Sequence, residues 1–531
     1  MKVIEKYKNE IENATKEGRK IIACMCNNEV KSLNYEANEI DKIELLDTSS
    51  KDGHRIYIRG ILYIMAKALN EVYPEALLSV NYQLSSAMFC KIDNMEITDE
   101  MITNVKARMQ EIINQNLEIR KVVMTKEEAE EFYSNEKTLR GIVQIDNTQK
   151  EGVSLYYCED YFNYFFGVMP VTTAYTDIFD VIKYGDGFLV RYPSAEKPNE
   201  LTNYKSNKKL LSTLEEYEDI HRVLQIDTLY KLNKEIKEGR TSSVILLSEA
   251  LHEKKISQIA DQIKKQKKVK VVLIAGPSSS GKTTFGKRLA IQLLVNGIKP
   301  VNLSLDNYFV NRENTPRDAK GEYDFETIDA LDINTFNDNI MRLLRGEEVE
   351  IPKFSFETGQ RFYDGETLKM SKNNVIIVEG IHGLNPKLTE YLPHESLFKI
   401  FISALTVISI DNHNIINPSD NRLIRRMVRD HKYRGYSALD TLKRWESVLS
   451  GEQKHITPYQ EEADAMFNSA LVYELGALKQ QAVPLLEEVL VKYPEHSKAT
   501  RLLKFFSYVQ AVPTREIPPT SILREARRRE K

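Results

Sequence analysis

The chain has 531 residues, which at roughly 100 to 200 residues per domain implies about three or four domains. Apolar residues make up 42% and charged residues 28%, an ordinary globular balance that excludes a disordered, collagen-like or fibrous chain. Lys plus Arg number 74 against 77 Asp plus Glu; the net charge of −3 offers no overall attraction to nucleic acid or an anionic membrane, so any such partner must find a local patch.

No stretch approaches the ~18 to 20 apolar residues that span a bilayer. The opening MKVIEKYKNEIENATKEGRK lacks the apolar core of a signal peptide. The expectation is a cytoplasmic protein with no membrane partner. Cys24, Cys26, Cys90 and Cys158 are too sparse for a disulfide scaffold, and Cys24 with Cys26 lacks the second pair of ligands that a structural zinc site needs. They are expected to be reduced and mostly buried.

Residues 1–50 alternate short apolar runs (IIACMC, KIELLD) with polar turns such as Asn27-Asn28-Glu29, a pattern similar to a small β-grasp domain. Residues 51–195 read as an α+β domain: a helix over about 55–75 stopped by Pro74, a polar-faced helix over 98–116, and strands in ALLSVNYQL, GVSLYYC and GFLVRYP. Residues 196–265 read as a linker followed by connecting helices; the run KKQKKVK fits a solvated helix end, with nucleic-acid contact as the alternative. Over 266–480, buried-strand runs (VKVVLIAG, PVNLSL, NNVIIVEG, FKIFISA) alternate with helical segments up to about 410, the pattern of a parallel sheet with crossover helices; helices follow. Residues 481–531 are expected as a C-terminal helical tail ending in the basic REARRREK.

Gly276-Pro277-Ser278-Ser279-Ser280-Gly281-Lys282-Thr283 matches G-x-x-x-x-G-K-[ST] in full, with Thr284 next. An apolar strand precedes it and a helix follows, so backbone N–H groups and the helix N-terminus can converge on phosphate oxygens. Lys282 is expected to reach the β- and γ-phosphates of ATP, and the Thr283 hydroxyl to ligate Mg²⁺. A phosphate-binding loop alone does not separate a kinase from another NTPase. Asp306 follows PVNLSL and Glu379 ends VIIVE; in a wound sheet both fall at carboxyl ends of strands beside the loop. Phosphoryl transfer to a hydroxyl needs a carboxylate near the acceptor oxygen and Mg²⁺ to neutralise charge. Asp306 suits the first role, with a share in the metal as an alternative, and Glu379 suits the second. Each also suits a loop cap.

GPSSSGKTT, DNYF, YDFETIDALD, GEEVEIPKFSFETGQR, VIIVEGI and RLIRRMVRD occur in this order, and over about 270–475 the chain resembles the uridine kinase and phosphoribulokinase group. The resemblance implies an α/β kinase fold, Asp306 as base, Glu379 as Mg²⁺ partner, and Asp324 holding sugar hydroxyls. Arg422, Arg425, Arg426 and Arg429 share a helix face. The lid position implied for them would set Arg425 and Arg429 at the transferring group and Arg426 on ATP. Phe354 and Phe356 suit stacking on a base, or plain core; Arg361 joins them as a substrate-binding candidate. Gly359 stands where pyrimidine-specific relatives carry a histidine, which leaves the acceptor open between a nucleoside, with the uridine or cytidine 5′-hydroxyl first, and another sugar or sugar phosphate.

NNEVKSL, GILYIMAKALNEVYP and YYCEDYFNYFFGVMP give residues 1–195 a looser resemblance to the TGS and editing domains of threonyl-tRNA synthetase. Editing domains of that type carry His-x-x-x-His and Cys-x-x-x-His pairs. Here those positions are Arg59 and Tyr63, then Phe165 and Met169, so no hydrolysis is implied. RNA, a small ligand or another subunit remain as partners of this half, beside a purely structural role, and His54 is expected in a surface loop. A homo-oligomer is compatible with the sequence, and an RNA-binding regulatory ATPase is the rival to the kinase.

Overall fold

The computed structural model describes residues 1–134, 141–147, 152–317, 321 and 323–526; residues 527–531 of the basic ending lie outside them. The first unit is a three-stranded antiparallel sheet, Ile21–Cys26 between Glu29–Lys31 and Ile43–Asp47. Asn27 and Asn28 make its tight turn at φ of 50° and 62°, the left-handed region that Asn tolerates best after Gly.

The second unit packs two helices on an antiparallel sheet ordered Leu78–Gln83, Ala87–Ile92, Gly187–Arg191, Asp180–Tyr184. The Lys51–Val72 helix starts where the Ser50 side chain accepts from Gly53 N–H and ends two residues before Pro74. It buries Ile56, Ile61, Ile64, Met65 and Leu69. His54 belongs to this helix and not to a surface loop: its Nε2 lies 2.8 Å from the Pro193 carbonyl and its ring meets Tyr192 edge-on. All four cysteines are free and buried.

The third unit is a five-stranded, wholly parallel sheet ordered Lys299–Ser304, Asn374–Glu379, Val271–Ala275, Leu397–Ser403, Ala465–Asn468. Its long apolar runs are buried on both faces, as crossover helices require. Ser304 and Ile274 both pair with Glu379, so three strands end level and the segments that follow them converge. The fifth strand lies beyond residue 410, where only helices were expected. Its sequence AMFN is too short to announce a strand, but Phe467 packs its ring 4.7 Å from that of Phe285 and secures the edge.

The segment read as linker and connecting helices supplies one layer of this unit. Ile256, Ile259 and Ile263 of the Thr241–Lys265 helix share a core with Phe285, Leu289 and Leu293. The expected tail is likewise built in: Leu485, Leu502, Phe505 and Phe506 share a core with Leu423, Met427 and Trp445. Asp411 accepts from Gly141 N–H at 2.9 Å and Asn414 Oδ1 from Phe166 N–H at 2.8 Å, which stitches the two halves together. Among the described residues no helix is long and apolar enough to cross a membrane.

Candidate active site

The phosphate loop leaves the central strand at Gly276, where any Cβ would sit 1.9 Å from the Ile402 carbonyl oxygen, so only glycine fits. Ser279 turns at φ 61°, and the helix Lys282–Val295 begins after Gly281. The hydroxyls of Ser279 and Ser280 are buried and have no hydrogen-bond partner among the described residues. A buried hydroxyl without a partner costs free energy; a phosphate oxygen would supply the missing partner. Lys282 Nζ folds back on its own loop, donating to the carbonyls of Gly276 at 2.9 Å and Pro277 at 3.1 Å.

Thr283, followed by Thr284 in the first helical turn, donates its hydroxyl to Glu379 Oε1 at 3.1 Å. Asp306 stands in the short turn Leu305–Tyr308 just past the end of its strand, its N–H directed to Ser304 Oγ at 3.3 Å. Burial pushes the Asp306 carboxyl above the usual carboxylate range, against the opposing charges of Lys282 and Arg434. Burial lowers Lys282, opposed by the negative charges of Glu379, Asp306 and Glu326. Enclosure thus works against the ammonium charge, and these carboxylates work for it. Glu326 is the member that sequence reading missed. Burial raises its pKa while Arg426 and Lys282 oppose the rise; its only signal in sequence was its place two residues after Asp324.

The arginine helix Pro418–Arg434 is set by an Asn417 cap, a proline in its first turn and Gly435 in the left-handed region at its end. Arg426 Nη1 donates to Ser278 Oγ at 2.8 Å, and Arg422 Nη1 reaches Ser278 O at 3.4 Å while its Nη2 holds Glu452 at 2.6 Å. Arg429 donates to Asp430 at 2.8 Å. Arg425, expected at the transferring group, is engaged elsewhere: its guanidinium grips Glu474 with both ends and donates to Ser469 O at 2.7 Å. The expectation ignored what lies behind the helix, where a buried Glu474 needs a cation.

Arg425 and Arg429 still wall a cavity of about 100 Å³ with residues 279–283, and its apolar side comes from Leu478, Ile522 and Leu523. Ile522 lies so near the loop that a Cβ on Gly281 would stand 2.9 Å from it. These three residues were not singled out in sequence, because nothing local relates a segment near 522 to a loop near 280.

Phe354 and Phe356 sit 5.5 and 5.8 Å, centroid to centroid, from Phe309 and 5.2 Å from each other. Phe354 is knit into this cluster, whereas Phe356 remains 57% exposed. Asp324 accepts from Glu326 N–H at 3.0 Å. Arg361 is committed to Asp332 at 2.7 Å, so it shapes the hairpin Lys353–Ser355 with Gln360–Phe362. Gly359 turns that hairpin at φ 71°, and a Cβ there would lie 2.6 Å from the Arg312 side chain. A histidine there is strained on both counts. Arg312, also missed in sequence, fills the space and donates to the Phe356 carbonyl at 2.6 Å.

In the N-terminal half, Tyr63, Phe165 and Met169 are core residues, and Arg59 donates to the carbonyls of Val168 at 2.9 Å and Phe166 at 3.4 Å. No base or metal ligand stands at those positions. Among the described residues no group of three or more His, Cys, Asp or Glu is arranged around a metal. Thr283 with Glu379 fits Mg²⁺, which is usually held by one or two protein oxygens together with substrate phosphates and water.

Residues 271–474 match the model of the Phosphoribulokinase / Uridine kinase family. Uridine kinase of Schizosaccharomyces pombe is 26% identical over 250 residues, 47% of this chain and 50% of that protein. Threonine–tRNA ligase of Clostridium kluyveri is 24% identical over 140 residues, 26% of this chain and 22% of the ligase; ligases of this kind match the N-terminal half. The chain thus spans half, or less, of the length of these relatives. Among solved structures, D-glycerate 3-kinase of Cryptococcus neoformans covers 49% of this chain and 89% of its own at 14% identity and a TM-score of 0.21.

Proposed function

We propose that the protein is an ATP-dependent phosphotransferase that moves the γ-phosphoryl group to a hydroxyl of a nucleoside, with the uridine or cytidine 5′-hydroxyl as the first candidate. The observation that carries this reading is a loop whose buried Ser279 and Ser280 hydroxyls lack partners among the described residues, beside Thr283 bonded to Glu379 and with Asp306 just past a strand that ends level with Glu379.

In this reading the loop amides, Ser279 and Ser280 take phosphate oxygens, and Lys282 leaves its carbonyl partners to reach the γ-phosphate. Arg426, already on Ser278, and Arg429 stabilise charge on the transferring group. Asp306 accepts the proton of the acceptor hydroxyl as its oxygen attacks the γ-phosphorus and the bond to the β–γ bridging oxygen breaks, releasing ADP; its raised pKa makes it a better base than an ordinary carboxylate. Thr283 and Glu379 would hold Mg²⁺, which would supply neutralisation of phosphate charge. Phe356 offers an exposed ring to the acceptor, and Leu478, Ile522 and Leu523 an apolar wall to the adenine.

One observation favours a second acceptor class. Arg312 occupies the space beside Gly359, and a guanidinium there suits a sugar or sugar phosphate better than a pyrimidine edge. The test is a panel of nucleosides, sugars and sugar phosphates incubated with ATP and Mg²⁺ and scored for phosphorylated product. Product from no alcohol in the panel, with ATP hydrolysis persisting, sinks the reading and favours the regulatory ATPase.

A further inference from the structure

Away from the phosphate loop, a cleft of about 140 Å³ opens where the two halves of the chain meet. One wall is the Lys51–Val72 helix, which presents Arg55, Ile58, Arg59 and Leu62 at helical spacing. Val80, Met88 and Phe165 continue it. The opposite wall comes from the kinase-like half: Ile410, Ile415 and Asp420, then Arg501 and Phe505 of the His496–Ser507 helix.

The lining is mostly apolar, yet three guanidiniums enter it against one carboxylate. Asp420 is spent on Arg501, in a two-pronged pair at 2.6 and 2.7 Å. Arg501 Nε is buried without a hydrogen-bond partner among the described residues. Among the described residues Arg55 has one hydrogen bond, to Asp52 at 3.3 Å, and Arg59 donates from Nε and Nη1 to carbonyl oxygens. The positive charge extends behind the wall. Lys51 and Lys498 share Glu446, and burial, followed by the like charge of Lys498 on Lys51 and of Arg55 on Lys498, brings both down to about 8. Burial also lowers Arg55 and Arg59. An enclosed excess of cations is unfavourable unless an anion joins it.

The volume matches the ~150 Å³ that a benzene-sized body fills in an apolar cavity, and a guanidinium fork matches a planar two-oxygen head. We propose that this interdomain cleft binds a small carboxylate with an apolar ring or chain, its head on Arg55 and Arg59 and its body against Ile58, Met88, Phe165 and Phe505.

Sodium benzoate is the probe, with benzamide as its neutral counterpart of the same shape, both titrated into the full chain by ligand-observed NMR at low salt. Benzoate is expected to bind at least tenfold tighter than benzamide, and Arg55→Gln to weaken benzoate about tenfold while leaving benzamide unchanged. Arg55→Lys should recover part of the loss. Equal affinity for the two probes, or binding of neither, overturns the proposal, and this comparison needs only the unaltered chain. Unchanged benzoate binding in a folded Arg55→Gln variant overturns it too.

Discussion

Arg425 and Glu474 form a buried, two-pronged ion pair, while Arg426, the next residue, donates to Ser278 of the phosphate loop. One helix thereby uses adjacent arginines for cohesion and for the ligand. Glu474→Gln should therefore lower the unfolding free energy by about 3 kcal/mol, the usual cost of stranding a buried charge. Arg426→Gln should leave stability nearly unchanged and weaken ATP binding. Denaturant midpoints and ATP titrations of both variants check the division; equal losses of stability would refute it.

Thr283 and Glu379 meet at 3.1 Å. Glu379→Gln keeps the hydrogen bond but removes the charge that attracts a divalent cation. The Mg²⁺ concentration for half-maximal activity should rise at least tenfold, with saturating Mg²⁺ restoring much of the rate. An unaltered Mg²⁺ curve would take Glu379 out of the metal site.

Burial raises the Asp306 carboxyl, so the residue binds its proton at a higher pH than an ordinary aspartate, about 3.9. Below that raised pKa it carries a proton and cannot accept one. Activity should fall as pH falls, along a limb placed above 3.9, and Asp306→Asn should lose about 10²- to 10⁴-fold in kcat with ATP affinity retained. A pH profile with the same acid limb in the variant would assign the limb to another group.

Ile522 lies against the start of the phosphate-loop helix. Ile522→Asp should weaken ATP about tenfold but leave inorganic tripolyphosphate, which has no base, almost unaffected. Equal weakening of both ligands would mean that the 522 segment braces the loop and does not touch the base.

Gly359→His should not create pyrimidine preference, since φ 71° and the Arg312 side chain both oppose it. Arg312→Ala is the informative change. It should raise KM for the acceptor more than it lowers kcat, and shift the ranking in the substrate panel; an unchanged ranking would remove Arg312 from the acceptor site.

The phosphate loop was legible because its causes are contiguous: strand, glycine, lysine, hydroxyl and helix follow one another in the chain. Asp306 and Glu379 were legible for a similar reason, since each ends a buried strand and register brings strand ends level. The strand Ala465–Asn468, the commitment of Arg425 to Glu474, and Glu326, Arg312 and Ile522 were not legible. Each depends on a neighbour tens to hundreds of residues away.

The sequence by itself determined the phosphate-loop motif, the first four strands of the parallel sheet, and the absence of hydrolytic side chains at the matching positions of the N-terminal half, because these follow from residue type and local spacing. Only the tertiary structure decided which arginine bonds Ser278 and which is held by Glu474, what forms the apolar side of the cavity, why residue 359 is glycine, and that two halves of the chain enclose a cationic cleft. Those outcomes depend on which side chains meet across the fold, and the contacts follow from burial and charge pairing between segments that share no local pattern.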